Sequence, residues 1–157
     1  MLLLLNLNYL KNKYPNFYFV SSTTKVITDF EEFKSEVDRK EFSYVVPDFR
    51  LNKDFENLEG LTQTQKNKVE FLCNECCKSP TAQKGYRFSE AMKNPGFISI
   101  GDIENKYVPM GFSNFKIEGR SLGSALILEF LLYYMTKPEY HINVREEIYL
   151  DNMLDLF

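Results

Sequence analysis

The chain is predicted to fold as half of a parallel β/α barrel, a single α/β domain over 1–157 with about four strands and flanking helices. Three observations point there. Short β-branched or aromatic runs alternate with amphipathic stretches, and the loops between them are short, which favours a parallel sheet. Four strand-like runs are present, whereas a closed barrel has eight and typically about 250 residues. The 157-residue chain also opens inside a helix-like run, which favours an incomplete TIM-type barrel, as a half-barrel or a fragment, over an open α/β sheet.

The elements follow in order. Leu2–Lys13 reads as helix, ended by Tyr14-Pro15. Phe17–Ser22 (FYFVSS) is aromatic and β-branched, a buried strand. Thr28 and Glu31 match a capping box, and Phe30, Phe33 and Val37 then supply the apolar face of a helix running to about Lys40. Ser43–Pro47 is the second strand, with Asp48–Asn52 as its exit loop, and a helix follows from about Lys53 to Leu58. A short polar turn leads to the third strand, Lys68–Asn74. The segment from Cys76 to Gly96 is loop-like, with a helix around Phe88–Met92. Ser99 caps a helix to Tyr107 with Asp102 as its capping-box partner, and Pro109-Met110-Gly111 breaks it. Asn114–Glu118 is the fourth strand, Ser121 caps an apolar helix to about Met135, and Pro138 opens a last helix carrying Tyr140, Val144 and Ile148.

Composition narrows the function. The apolar fraction of 44% is enough for a core, and 14 Phe and 10 Tyr without Trp make that core aromatic. Nineteen basic and 22 acidic residues give a net charge of −3 with no basic stripe, so nucleic acid is not indicated as a partner. The first apolar run stops at Asn6 with no basic residue before it, unlike a secretory signal, and Leu122–Met135 carries Glu129 and is too short to span a bilayer. No membrane role is expected, and the cytoplasm is the expected compartment.

Ligands of parallel β/α folds bind beyond the C-terminal ends of the strands. Each strand here ends in polar residues: Ser21–Thr24 with hydroxyls, then Asp48 with Arg50 and Asn52 at period two, then Asn74 and Glu75, and finally Lys116, Glu118 and Arg120. Alternation puts the last three on one face, opposite Phe115 and Ile117. Unpaired charge is costly in a dry core, so these groups either pair with one another or face a polar pocket. In the exit loop, Asn52 or Asp54 reads as a helix N-cap, with Asp48 serving loop backbone donors.

Cys73, Cys76 and Cys77 cluster within five positions, which is no disulfide framework. Cys73 and Cys76 have metal-like spacing without a second pair, so a metal site needs ligands from elsewhere; otherwise Cys73 is a buried strand residue and the others loop thiols. His141 reads as a surface residue of the last helix.

The segment Gly111–Arg120 (GFSNFKIEGR) resembles a motif of the collagenase-like peptidase family of unassigned catalytic type, in which a Lys-Ile-Glu-Gly-Arg run ends a barrel strand. Val46–Asn52 and Val69–Cys76 are similar to neighbouring strands of uncharacterised barrels related to it. Lys116, Glu118, Gly119 and Arg120 match the specific motif. The resemblance implies the C-terminal half of a peptidase-like barrel. It also implies a link to relatives that support hydroxylation with an iron–sulfur cluster held by four cysteines. This chain departs from that pattern in having three cysteines, bunched together.

The reading is therefore a barrel protein binding a polar or anionic ligand at the strand ends. Lys116 and Arg120 hold the anionic group, Glu118 and Asp48 act as orienting or acid–base residues, and Arg50, Asn74 and Glu75 add contacts. The alternative is a non-catalytic assembly module that pairs through its open sheet edge and the apolar helix. Its partner is a second copy or the missing N-terminal half-barrel.

Overall fold

The computed structural model describes residues 2–74, 88–119 and 123–153, with side chains described for residues 7–74, 88–119 and 123–150. Helix dominates. The helices are α1 (Leu2–Lys13), α2 (Phe30–Asp38), α3 (Phe55–Glu59), α4 (Gln63–Lys66), α5 (Phe88–Ala91), α6 (Ile100–Asp102), α7 (Ser124–Met135) and α8 (His141–Met153). Single 3₁₀ turns lie at Thr23–Lys25, Phe49–Leu51 and Pro138–Tyr140, and a π-helical turn, Ile103–Tyr107, extends α6.

The class is α/β, as expected. The strands are β1 (Val20–Ser21), β2 (Tyr44–Val45), β3 (Glu70–Leu72) and β4 (Asn114–Lys116). Two short parallel sheets form, β1 with β2 and β3 with β4, and a parallel bridge between Val45 and Val69 joins them. Spatial order therefore follows chain order. All four strands fall inside the predicted runs but are shorter. Pairing nevertheless reaches past their ends, since Ser43 N–H donates to Phe19 (2.8 Å), Val46 N–H to Ser21 (2.9 Å) and Cys73 N–H to Lys116 (2.9 Å).

Side-chain alternation divides the sheet. Val45, Val69, Phe71 and Cys73 enter the main core with Phe33 and Val37 of α2, Leu58 of α3, and Ile98, Tyr107 and Phe112. Aromatic contacts knit this core: Phe71 lies 4.7 Å from Tyr107 and 5.0 Å from Phe112, and Tyr107 lies 5.4 Å from Phe55. The Tyr107 hydroxyl donates to the Asn52 carbonyl, and burial pushes its phenol above the ordinary range. A second cluster seats α7 on α5 through Phe130, Ala91 and Phe97. There the Tyr134 hydroxyl reaches across to the Ile98 carbonyl at 2.7 Å.

Helix ends account for the departures from expectation. The N-cap of α2 is Asp29, not Thr28: its carboxylate accepts from Glu32 N–H at 2.9 Å. Aspartate caps at least as well as threonine, and the one-residue shift still turns Phe33 and Val37 inward. The stretch read as a polar turn is α4, held by a reciprocal capping box between Thr62 and Gln65. The Ser99–Asp102 box of α6 forms as expected. Of the two residues expected as helix N-cap, Asp54 holds that position on α3, without a side-chain cap hydrogen bond, whereas Asn52 ends the Phe49–Leu51 turn, is fully buried, and donates its amide to the carbonyl of Gly96 (3.0 Å). Residue 121 lies outside the described residues, and α7 begins after Gly123.

The helix side of β1 is fixed by a charged cluster. Glu36 of α2, 8% exposed, accepts from the Ser21 hydroxyl (2.6 Å), from Lys25 and from Arg39 (3.1 Å). Burial works to raise its pKa, but Lys25, Ser21 and Arg39 together outweigh burial and hold the carboxyl below its ordinary value. A depressed folded-state pKa gives stability that is present above the unfolded carboxylate range and lost as pH falls through the folded value. Glu36→Gln should therefore lower Tm clearly at pH 7, with the gap to wild type closing as pH falls toward 3 in thermal melts. A gap unchanged across that range would assign the loss to packing instead.

Candidate functional site

The face of the sheet away from the main core opens on a cleft of about 820 Å³. All four strands reach it near their C-terminal ends: Val20 and Ser22 from β1 and its exit, Val46 after β2, Leu72 of β3, and Lys116 to Gly119 at the end of β4. Thr23 and Thr24 add hydroxyls from the 3₁₀ turn after β1, and Ile127 of α7 closes one side. Gly119 lets that helix approach, since a Cβ there would lie 3.2 Å from Ile127 Cδ1. The result is an apolar floor with hydroxyls at one edge and two charged residues at the other.

Asn74 organises the charged edge. It is fully buried, its amide donates to the Glu118 carbonyl at 2.9 Å, and its Oδ1 accepts from the Glu118 N–H at 2.6 Å. The side chain thus stands in for a strand, continuing the β3–β4 pairing past Leu72 and Lys116. Asn74 is a positioning residue for Glu118. Lys116 is drawn to Glu70 on the neighbouring strand, with Nζ 3.3 Å from Oε2. The side chain of Lys116 is 46% exposed, so the pair serves local neutralisation more than stability. Among the described residues, no hydrogen bond or ion pair reaches the Glu118 carboxylate.

The remaining expected residues lie elsewhere. Asp48 is buried and caps the turn Phe49–Leu51, accepting from Arg50 N–H at 3.0 Å and from the Arg50 guanidinium at 3.1 Å. Asp48 and Arg50 satisfy each other, and neither lines the cleft; Arg50 borders a separate hollow with Phe49, Lys53 and Pro95. Cys73 is buried in the core on the helix side, and burial pushes its thiol up to about 12. Its backbone N–H is held by Lys116, as above. Glu75, Cys76, Cys77 and Arg120 lie outside the described residues. Among the described residues no group of three or more His, Cys, Asp or Glu side chains gathers as a metal site would. No helix among them is long and apolar enough to cross a membrane.

The structure thus brings together Asn74, Lys116, Glu118 and the hydroxyl segment 22–24. Two participants escaped the sequence reading. Glu70 was legible only as an alternating strand residue, and the apolar floor of Val20, Val46 and Leu72 only as sheet. Comparison with family models, curated proteins and solved structures finds no match for the chain.

Proposed function

We propose that the chain is the half-barrel of a peptidase-like β/α protein and binds a polar ligand in the cleft at the C-terminal ends of its strands. The observation that carries this reading is the convergence of all four strand ends on one cleft of about 820 Å³. Parallel β/α folds place their ligands at that end. Its size is in the range of small-molecule sites, and an apolar floor with a few polar groups is the usual composition of such sites. Strand order that follows chain order, with the main core on one face, is the arrangement a barrel requires, and it supports the half-barrel form.

Within this reading Glu118 is the acid–base candidate, because it is half-buried at the cleft and fixed at its backbone. Lys116, paired with Glu70, lies beside it, and the hydroxyls of Ser22, Thr23 and Thr24 supply neutral contacts. Asp48 and Arg50 serve the loop between them.

The test is a screen of small polar compounds against the ¹⁵N-labelled chain, followed by amide chemical shifts. At 18.5 kDa the protein is well suited to it. Hits should move the amides of Ser22–Thr24, Val46, Leu72 and Ile117–Gly119 together. Shifts gathered around Arg50 and Lys53 instead, or none at all, would remove the cleft as the site.

A further inference from the structure

We infer that the ligand of this cleft is a cation, a primary ammonium carried on a small apolar body. The inference rests on the cleft being the binding site and concerns the charge it selects. Among the described residues, the charged side chains that border it are Lys116 and Glu118. They are not equivalent. Lys116 is already neutralised by Glu70 across the β3–β4 pair, at 3.3 Å. Glu118 has no such partner among the described residues, and it is only half exposed. Among the described residues, the uncompensated charge at the cleft is therefore negative.

An anion entering the cleft would meet an open carboxylate and find the nearby ammonium engaged. An ammonium would meet the reverse, a carboxylate acceptor held in place. Asn74 pins both the N–H and the carbonyl of Glu118, so the residue bearing that carboxylate cannot drift from the cleft mouth. A charged hydrogen bond of the N⁺–H···O⁻ type is among the stronger contacts a partly buried site offers. Val20, Val46, Leu72 and Ile127 offer the apolar body a surface to cover.

The charge assignment is tested with three probes built on the same isobutyl body: leucinamide (cationic), 4-methylpentanoate (anionic) and 4-methylpentanamide (neutral). Each is titrated into the full ¹⁵N-labelled chain while the cleft amides are followed. Leucinamide should bind and 4-methylpentanoate should not, with the neutral probe weaker than the cation. Glu118→Gln should weaken leucinamide about tenfold, the loss expected for one charge-assisted hydrogen bond. Because the three probes are compared on the wild-type chain, the result stands even if the variant folds poorly. Binding of 4-methylpentanoate in the cleft would overturn the charge assignment while leaving the cleft as a site. Equal binding of the cation and the neutral probe would do the same. If no probe moves the cleft amides, the inference and the site both fall.

Discussion

Phe71→Ala should remove about 3–5 kcal/mol of stability, the cost of emptying a large aromatic site in a close-packed core. Phe71 is fully buried on β3, the strand that bridges β2 and pairs with β4. Its ring meets Tyr107 at 4.7 Å, Phe112 at 5.0 Å and Phe115 at 6.1 Å. Tyr107 in turn meets Phe55 and ties its hydroxyl to the Asn52 carbonyl, so the vacated space cannot close without shifting a hydrogen-bonded neighbour. A domain is typically stable by about 5–15 kcal/mol, so the loss is a large share of the total. Urea unfolding followed by tyrosine fluorescence and far-UV circular dichroism measures it. Ile142→Ala, at a position on α8 that is 65% exposed, is the matched control and should stay within about 0.5 kcal/mol of wild type. Similar midpoints for the two variants would mean that the aromatic cluster does not hold the sheet.

That cluster shows which parts of the molecule the sequence made legible. Local pattern is enough to find Phe33 and Val37, because a helix buries residues four apart and the spacing is written in the chain. The Ser99–Asp102 cap is legible for the same reason, and the Thr62–Gln65 cap of α4 carried the same signature, although the surrounding polarity suggested a turn. Charged residues are harder. Period-two spacing put Asp48 and Arg50 on one face of an extended segment, but a 3₁₀ turn wraps them into a local pair, and an aspartate two residues before a free N–H favours that turn. Pairings across the sheet are harder still. Glu70 and Lys116 are 46 residues apart, and Asn74 and Glu118 are 44 apart. Nothing local encodes them, because they exist only once β3 and β4 lie in register with Leu72 beside Lys116. The candidate residues were therefore visible as types at strand ends, whereas their division into neutralised, positioning and open groups depends on the register.

Asn74→Ala should cost about 2–4 kcal/mol and loosen the cleft with it. The side chain is fully buried and makes two hydrogen bonds to the backbone of a single residue, Glu118. Truncation leaves a donor and an acceptor of the chain beyond β4 without that partner, and each buried unsatisfied group costs about 1–3 kcal/mol. Asn74→Asp separates the two halves of the clamp. A carboxylate still accepts from the Glu118 N–H, but it cannot donate to the Glu118 carbonyl and places a second negative charge beside the open carboxylate. Hydrogen exchange at the Glu118 amide distinguishes the cases. Protection should be high in wild type, largely retained in the Asp variant and lost in the Ala variant. Leucinamide binding should fall in the Ala variant, because Glu118 is no longer held at the cleft mouth. If the Glu118 amide stays as protected in Asn74→Ala as in wild type, the strand end is fixed by other contacts, and Asn74 fills space without positioning the carboxylate.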